Sequence, residues 1–133
     1  MNKALVLSVA MVAGSAFAET LVFAPAEGEI TNVTAFLTGS LDVSANPGAS
    51  GGGTVRISGH YNNYVGTTAN NCGTLWPAFF GPDSSYGSLG ACTGLTLGQG
   101  TLKYTGQAGV ISAPVTHTGT DGQYSVYEIG EGS

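Results

Sequence analysis

Between Val33 and Tyr61 the chain alternates. Val33, Ala35, Leu37, Gly39, Leu41, Val43 and Ala45 offer no polar side chain, and Thr34, Phe36, Thr38, Ser40, Asp42 and Ser44 between them are polar except for Phe36. Successive side chains of a strand point to opposite faces, so this pattern buries one face and wets the other. After the loop Asn46-Pro47-Gly48-Ala49-Ser50-Gly51-Gly52-Gly53 the alternation returns, with Val55, Ile57, Gly59 and Tyr61 on one face and Thr54, Arg56, Ser58 and His60 on the other. Two alternating runs joined by a Gly-rich loop predict a β-hairpin, although eight residues is long for its turn. A helix competes, because Val33, Leu37 and Leu41 lie four apart. Interior Gly39 and the β-branched Thr and Val residues oppose it, and Ser40 and Ser44 would fall on or beside its apolar stripe. A strand of the 13 residues from Val33 to Ala45 would reach about 43 Å at ~3.3 Å per residue, longer than most. A bulge, bend or break is therefore expected near Gly39-Ser40.

Elsewhere the elements are shorter. Residues 21–24 form an apolar run that Pro25 ends, as on an edge strand. From Asn62 to Thr93 regularity stops, and turn formers such as Asn62-Asn63, Asn70-Asn71 and Gly81-Pro82-Asp83 crowd together. Strands are expected again at residues 95–97, at 101–105 after the turn Gly98-Gln99-Gly100, and at 110–118, where Pro114 marks an edge or bulge. The Asp-Gly pair in Gly119-Thr120-Asp121-Gly122 predicts a tight turn, with residues 124–129 returning antiparallel. Six to eight short strands without a helix predict an all-β fold, an antiparallel β-sandwich of jelly-roll type, with a small β-barrel as the alternative. No internal repeat stands out from a general Thr-Gly texture.

The beginning of the chain changes the picture of where it works. Lys3, the apolar stretch of residues 4–12 and the A-x-A site Ala16-Phe17-Ala18 read as a bacterial signal peptide over residues 1–18. The stretch is too short to span a bilayer, which takes roughly 20 residues. Residues 19–133 then make one secreted or periplasmic β-domain, released by cleavage after Ala18. Arg56 and Lys103 are its only cations against eight acids, a net charge of −6. Nucleic acid is a poor partner for such a chain, because its phosphates call for a basic surface.

Cys72 and Cys92 lie 20 positions apart. In an oxidising compartment they are expected to pair, closing a loop that contributes roughly 3 kcal/mol by the chain-entropy model. That disulfide would staple residues 62–93 into a lobe, with Trp76, Phe79 and Phe80 as a small cluster beneath it. Two thiolates do not complete a metal site, so neither a metal nor any other cofactor is expected.

Catalytic signals are weak. His60 and His117 are the only histidines, on predicted strands and facing outward, and nothing in their spacing brings them together with a carboxylate. No serine sits in a G-x-S-x-G turn, and Gly51-Gly52-Gly53 lacks the Lys-Ser/Thr of a phosphate loop. Asn32-Val33-Thr34 matches the glycosylation acceptor pattern, a coincidence in a chain with a bacterial leader. The chain reads as no enzyme but as a surface or matrix-type structural or interaction module. Its expected partners are copies of itself, for which Phe36 on the polar face, the low charge and exposed strand edges are suited. The alternative is a neutral surface polymer, a glycan, held by Tyr61, Tyr64, Trp76 and Tyr86 with the amides of Asn63 and Asn71. A secreted hydrolase ranks third.

Overall fold

The computed structural model describes residues 4–7, 19–48, 51–82, 85–106, 109–111, 113–118 and 126–129. Among the described residues eleven short strands follow one another: β1 (Ala4–Leu7), β2 (Glu19–Phe23), β3 (Ile30–Val33), β4 (Leu41–Ala45), β5 (Thr54–Ile57), β6 (Thr67–Asn70), β7 (Thr74–Pro77), β8 (Gly94–Leu97), β9 (Thr101–Tyr104), β10 (Val115–His117) and β11 (Val126–Ile129). Odd-numbered strands build sheet A in the order β1-β3-β5-β7-β9-β11, and even-numbered strands build sheet B in the order β10-β8-β6-β4-β2. Every strand pairing is parallel. The chain therefore winds as a two-sheeted β-solenoid, each coil giving one strand to each sheet before climbing to the next.

The alternating pattern explains the interior. Leu41, Val43 and Ala45 of β4 are buried while Asp42 and Ser44 are half-exposed, and Val55 and Ile57 of β5 are buried between Thr54 and Arg56. The inner faces meet in one apolar core that includes Phe23, Val33, Leu37, Val43, Ile57, Leu75, Leu95, Leu97 and Leu102. The expected strand from Val33 to Ala45 forms only in its second half: β3 stops at Val33, residues 34–40 connect the sheets with Gly39 turning at φ +82°, and β4 starts at Leu41. Pro25 likewise follows β2, an edge strand of sheet B.

The antiparallel sandwich and the barrel are not formed. The Gly-rich loop at residues 46–53 joins β4 to β5, but these lie in different sheets and pair not with each other but with β2 and β6, and with β3 and β7. Parallel strands need a crossover, commonly a helix. Here the strand of the opposite sheet is the crossover, so a helix-free sequence still builds parallel sheets. The C-terminal hairpin is corrected in the same way: β10 pairs with β8 in sheet B, and β11 pairs with β9 in sheet A. The turn expected at Asp121-Gly122 lies outside the described residues, as does the cleavage site expected at residues 16–18. Residues 62–93 are no stapled lobe. They contain β6 and β7, an ordinary part of two coils.

The disulfide is absent as well. Cys72 and Cys92 are both buried and both free. Cys72 follows the end of β6, whereas Cys92 precedes β8, whose Gly94 pairs with Thr67 at the start of β6. The length of β6 thus separates the levels of the two thiols, about 13 Å of strand. A disulfide requires Cα atoms within ~7 Å. Twenty positions of sequence are most of a coil, and they carry the second cysteine to the far end of the strands.

Candidate interaction surfaces

Two kinds of corner join the sheets. At the tight corner, β4 leads to β5, β6 to β7 and β8 to β9, the last two through residues 71–73 and 98–100 alone. Each of these strands of sheet A opens with Gly, Thr and an aliphatic residue: Gly53-Thr54-Val55, Gly73-Thr74-Leu75 and Gly100-Thr101-Leu102. The glycines stack. A Cβ on Gly73 would press on the carbonyl of Gly53, and one on Gly100 would lie 2.7 Å from the carbonyl of Gly73. Those same carbonyls accept the amides of Thr74 (2.9 Å) and Thr101 (2.8 Å), tying each coil to the one before it. Beside this column Asn46 donates through Nδ2 to Gly53 O (3.1 Å) and to Asn70 Oδ1 (3.2 Å), and Asn70 Nδ2 donates to Thr101 O (3.3 Å). Asn46 takes the left-handed conformation (φ +48°), which Asn tolerates better than most residues.

At the wide corner the connections are residues 34–40, 58–66 and 78–93. Buried side chains here add to backbone contacts between neighbouring loops, such as Asn63 N to Leu37 O (3.0 Å) and Ala91 N to Tyr64 O (2.8 Å). Asn62 Oδ1 accepts the Leu37 amide (2.9 Å), and its Nδ2 donates to Ser88 O (3.1 Å). The Ser88 hydroxyl donates to Gly59 O (2.8 Å) and accepts the amides of Ala78 (3.1 Å) and Phe79 (3.0 Å). Three coils are thus joined through two side chains. Deeper in, the fully buried Tyr64 shares a 2.7 Å hydrogen bond with Thr68. Burial pushes the Tyr64 phenol far above its ordinary range, against the opposing hydrogen bond from Thr68. Burial raises the Cys92 thiol too, again against hydrogen bonding by Thr68. Both groups stay protonated at neutral pH and are poorly suited to act as nucleophiles.

The six residues expected to hold a sugar do not form one site. Tyr61 and Tyr86 do meet, with ring centroids 5.7 Å apart, beside Phe79 and His60, which stack at 4.9 Å. Asn63 is exposed at the same wide corner, its amide bonded to Leu37 O. Tyr64 is core. Asn71 lies at the tight corner, where its Nδ2 donates to Gly48 O (2.6 Å). Trp76 lies on the outer face of sheet A instead of in a cluster with Phe79 and Phe80, and Phe80 stacks on Tyr104 at 4.4 Å.

Trp76 is also already covered. The Arg56 guanidinium lies 4.5 Å and the Lys103 ammonium 4.3 Å from its ring centroid, one reaching from each neighbouring strand. Its Nε1 donates to Thr105 Oγ1 (3.2 Å). Each cation–π contact contributes about 0.5–1 kcal/mol at such a half-exposed site. The two charges stand at most about 9 Å apart, so they repel by at least ~0.5 kcal/mol in water. This surface was accessible from the sequence. Aligning the three Gly-Thr-aliphatic triads puts Arg56, Trp76 and Lys103 at the same following position, hence in one column.

The two histidines stay apart. His60 is at the wide corner, and His117 ends β10 level with Leu97, at the tight-corner end of sheet B. Among the described residues no three His, Cys, Asp or Glu side chains gather as metal ligands, and no helix is long and apolar enough to cross a membrane. No family model matches the chain, and no curated protein or solved structure matches it either.

Proposed function

We propose that the protein is an exported, non-catalytic structural module that associates with other copies of itself. The observation that carries this reading is the open-ended solenoid. Among the described residues β10 and β11 at one end, and β1 and β2 at the other, each have a neighbour on one side only. An edge strand presents unpaired amide and carbonyl groups, a template for another chain. Because all pairings here are parallel, the last coil of one copy offers the kind of edge that the first coil of the next accepts. Such a contact joins two different surfaces and does not close, so it propagates into a filament. β1 falls within the segment read as leader, and removal of residues 1–18 would hand the end position in sheet A to β3, whose edge β1 otherwise occupies in register from Ala4–Ile30 to Leu7–Val33.

Light scattering coupled to size-exclusion chromatography, on the purified protein over a concentration series, tests the reading. The expected result is a mass that grows with concentration past a dimer. A strict monomer at the highest concentration overturns it. N-terminal sequencing of the same sample should start at Glu19, and a retained Met1 would refute the leader. The sugar reading is not carried forward, since Tyr64 is buried in the core, Asn71 lies at the tight corner, and Arg56 and Lys103 both lie against the Trp76 ring.

A further inference from the structure

We infer that the Arg56–Trp76–Lys103 face of sheet A is a lateral docking surface for the Glu27-Gly28-Glu29 turn of a second copy of this chain. The inference rests on the proposal that copies associate, and it adds which surfaces meet side by side.

Charge supplies the argument. The chain carries a formal net charge of −5, so copies repel one another on average. A lateral contact with favourable electrostatics has to use positive charge, and Arg56 and Lys103 are the cations of the described residues. Both lie in one column of one face, two strands apart, with the sole tryptophan between them. Acids outnumber cations in every copy, so a neighbouring copy offers carboxylates in excess. The ring holds both long side chains in place, so little further freedom is lost when a partner arrives.

The occupant follows from the acids. Asp42 is engaged by the amide and hydroxyl of Thr67 (2.8 and 3.1 Å), and Glu19 opens an edge strand. Glu27 and Glu29 lie on the turn between β2 and β3, on either side of Gly28 (φ +86°). Two carboxylates separated by a residue without a side chain make a small, strongly negative projection that can approach a flat sheet closely. Face and turn are different surfaces, so the contact is heterologous and extends sideways from copy to copy. The register of β11 sets Glu128 level with Lys103, so the charge reversal is made at Arg56.

Complementation tests it. Arg56→Glu, and separately Glu27→Lys combined with Glu29→Lys, are each compared with the natural chain by sedimentation velocity in low salt, with circular dichroism as the check of folding. Each variant alone is expected to lose association by about tenfold or more. An equimolar mixture of the two restores it, because the acidic turn of the first meets the cationic face of the second and the reversed pair meets likewise. Raising the salt weakens association of the natural chain. Should Arg56→Glu not fold, the turn variant, changed only at the turn, carries the test through its loss of association. Association that ignores the charge reversals overturns the lateral surface and leaves self-association standing. A natural chain that stays monomeric throughout removes both.

Discussion

The tight and wide corners solve the same problem, turning the chain from one sheet to the other, by opposite means. At the tight corner the coils are held by backbone against backbone, through the column Gly53, Gly73 and Gly100 with no room for a Cβ. At the wide corner backbone bonds between loops, such as Val65 N to Gly39 O and Ala91 N to Tyr64 O, are joined by side chains reaching inward, with Asn62 and Ser88 satisfying further amides and carbonyls. The first solution tolerates almost no change of shape. The second tolerates long insertions, which is why the aromatic residues His60, Tyr61, Phe79 and Tyr86 gather there.

The contrast is most easily broken at Gly73. Its φ of +63° and the adjacent Gly53 carbonyl make Gly73→Ala costly on two counts, an expected loss of about 3 kcal/mol or more. Gly94→Ala, where a Cβ meets nothing within 4 Å, should change stability by less than ~0.5 kcal/mol. Urea unfolding of the pair decides, and equal effects would mean that the glycine column does not set the corner. At the wide corner Asn62→Ala leaves the Leu37 amide and Ser88 carbonyl unpaired, with an expected loss of about 2–3 kcal/mol. Asn46→Gly should cost less, since glycine accepts the left-handed backbone and, of the two acceptors that lose Asn46 Nδ2, the Gly53 carbonyl keeps the Thr74 amide.

A pH titration sharpens the comparison further, because both raised groups belong to the wide corner. Burial lifts Cys92 and Tyr64 above their ordinary values of 9.0 and 10.0. The folded chain keeps protons that the unfolded chain would release. Their stabilisation is therefore complete below pH 9.0 and is lost as the pH climbs through 9.0 and then 10.0. Tyr64 alone accounts for at most about 1.4 kcal/mol per pH unit above its ordinary value. The urea midpoint should be flat near neutrality and fall in alkali, and Tyr64→Phe should flatten the later part of the fall. The smallest effect is expected at Tyr61, 70% exposed, where Tyr61→Ser should stay within ~0.5 kcal/mol.

How much of this was legible depends on what each residue's neighbours are. Inward and outward positions of β4 and β5 follow from alternation alone, because period two holds whatever a strand pairs with. Strand direction does not. A Gly-rich loop between alternating runs is common to a hairpin and to a solenoid corner, and only the return of Gly-Thr-aliphatic at residues 53, 73 and 100 separates them. That repeat is hidden in the sequence by unequal spacing, 20 residues and then 27. The cysteines mislead for a related reason, since distance in a solenoid is read from register and not from separation along the chain. Of the sugar-site candidates, Tyr61, Tyr64 and Tyr86 belong to connections where no period applies, so nothing in the pattern distinguishes a surface ring from a core one.

The unequal lengths of the wide-corner loops have a bearing on how the chain finds its path. Three near-identical entrances into sheet A invite misthreading, in which a strand seats itself one rung too high or too low. The loops of residues 34–40, 58–66 and 78–93 differ in length, and Asn62 and Ser88 lock onto partners found at a single level. A chain shifted by one rung would strand those amides without water or partner. Irregularity on one side of the coil thus acts as the key that keeps the repetitive side in step.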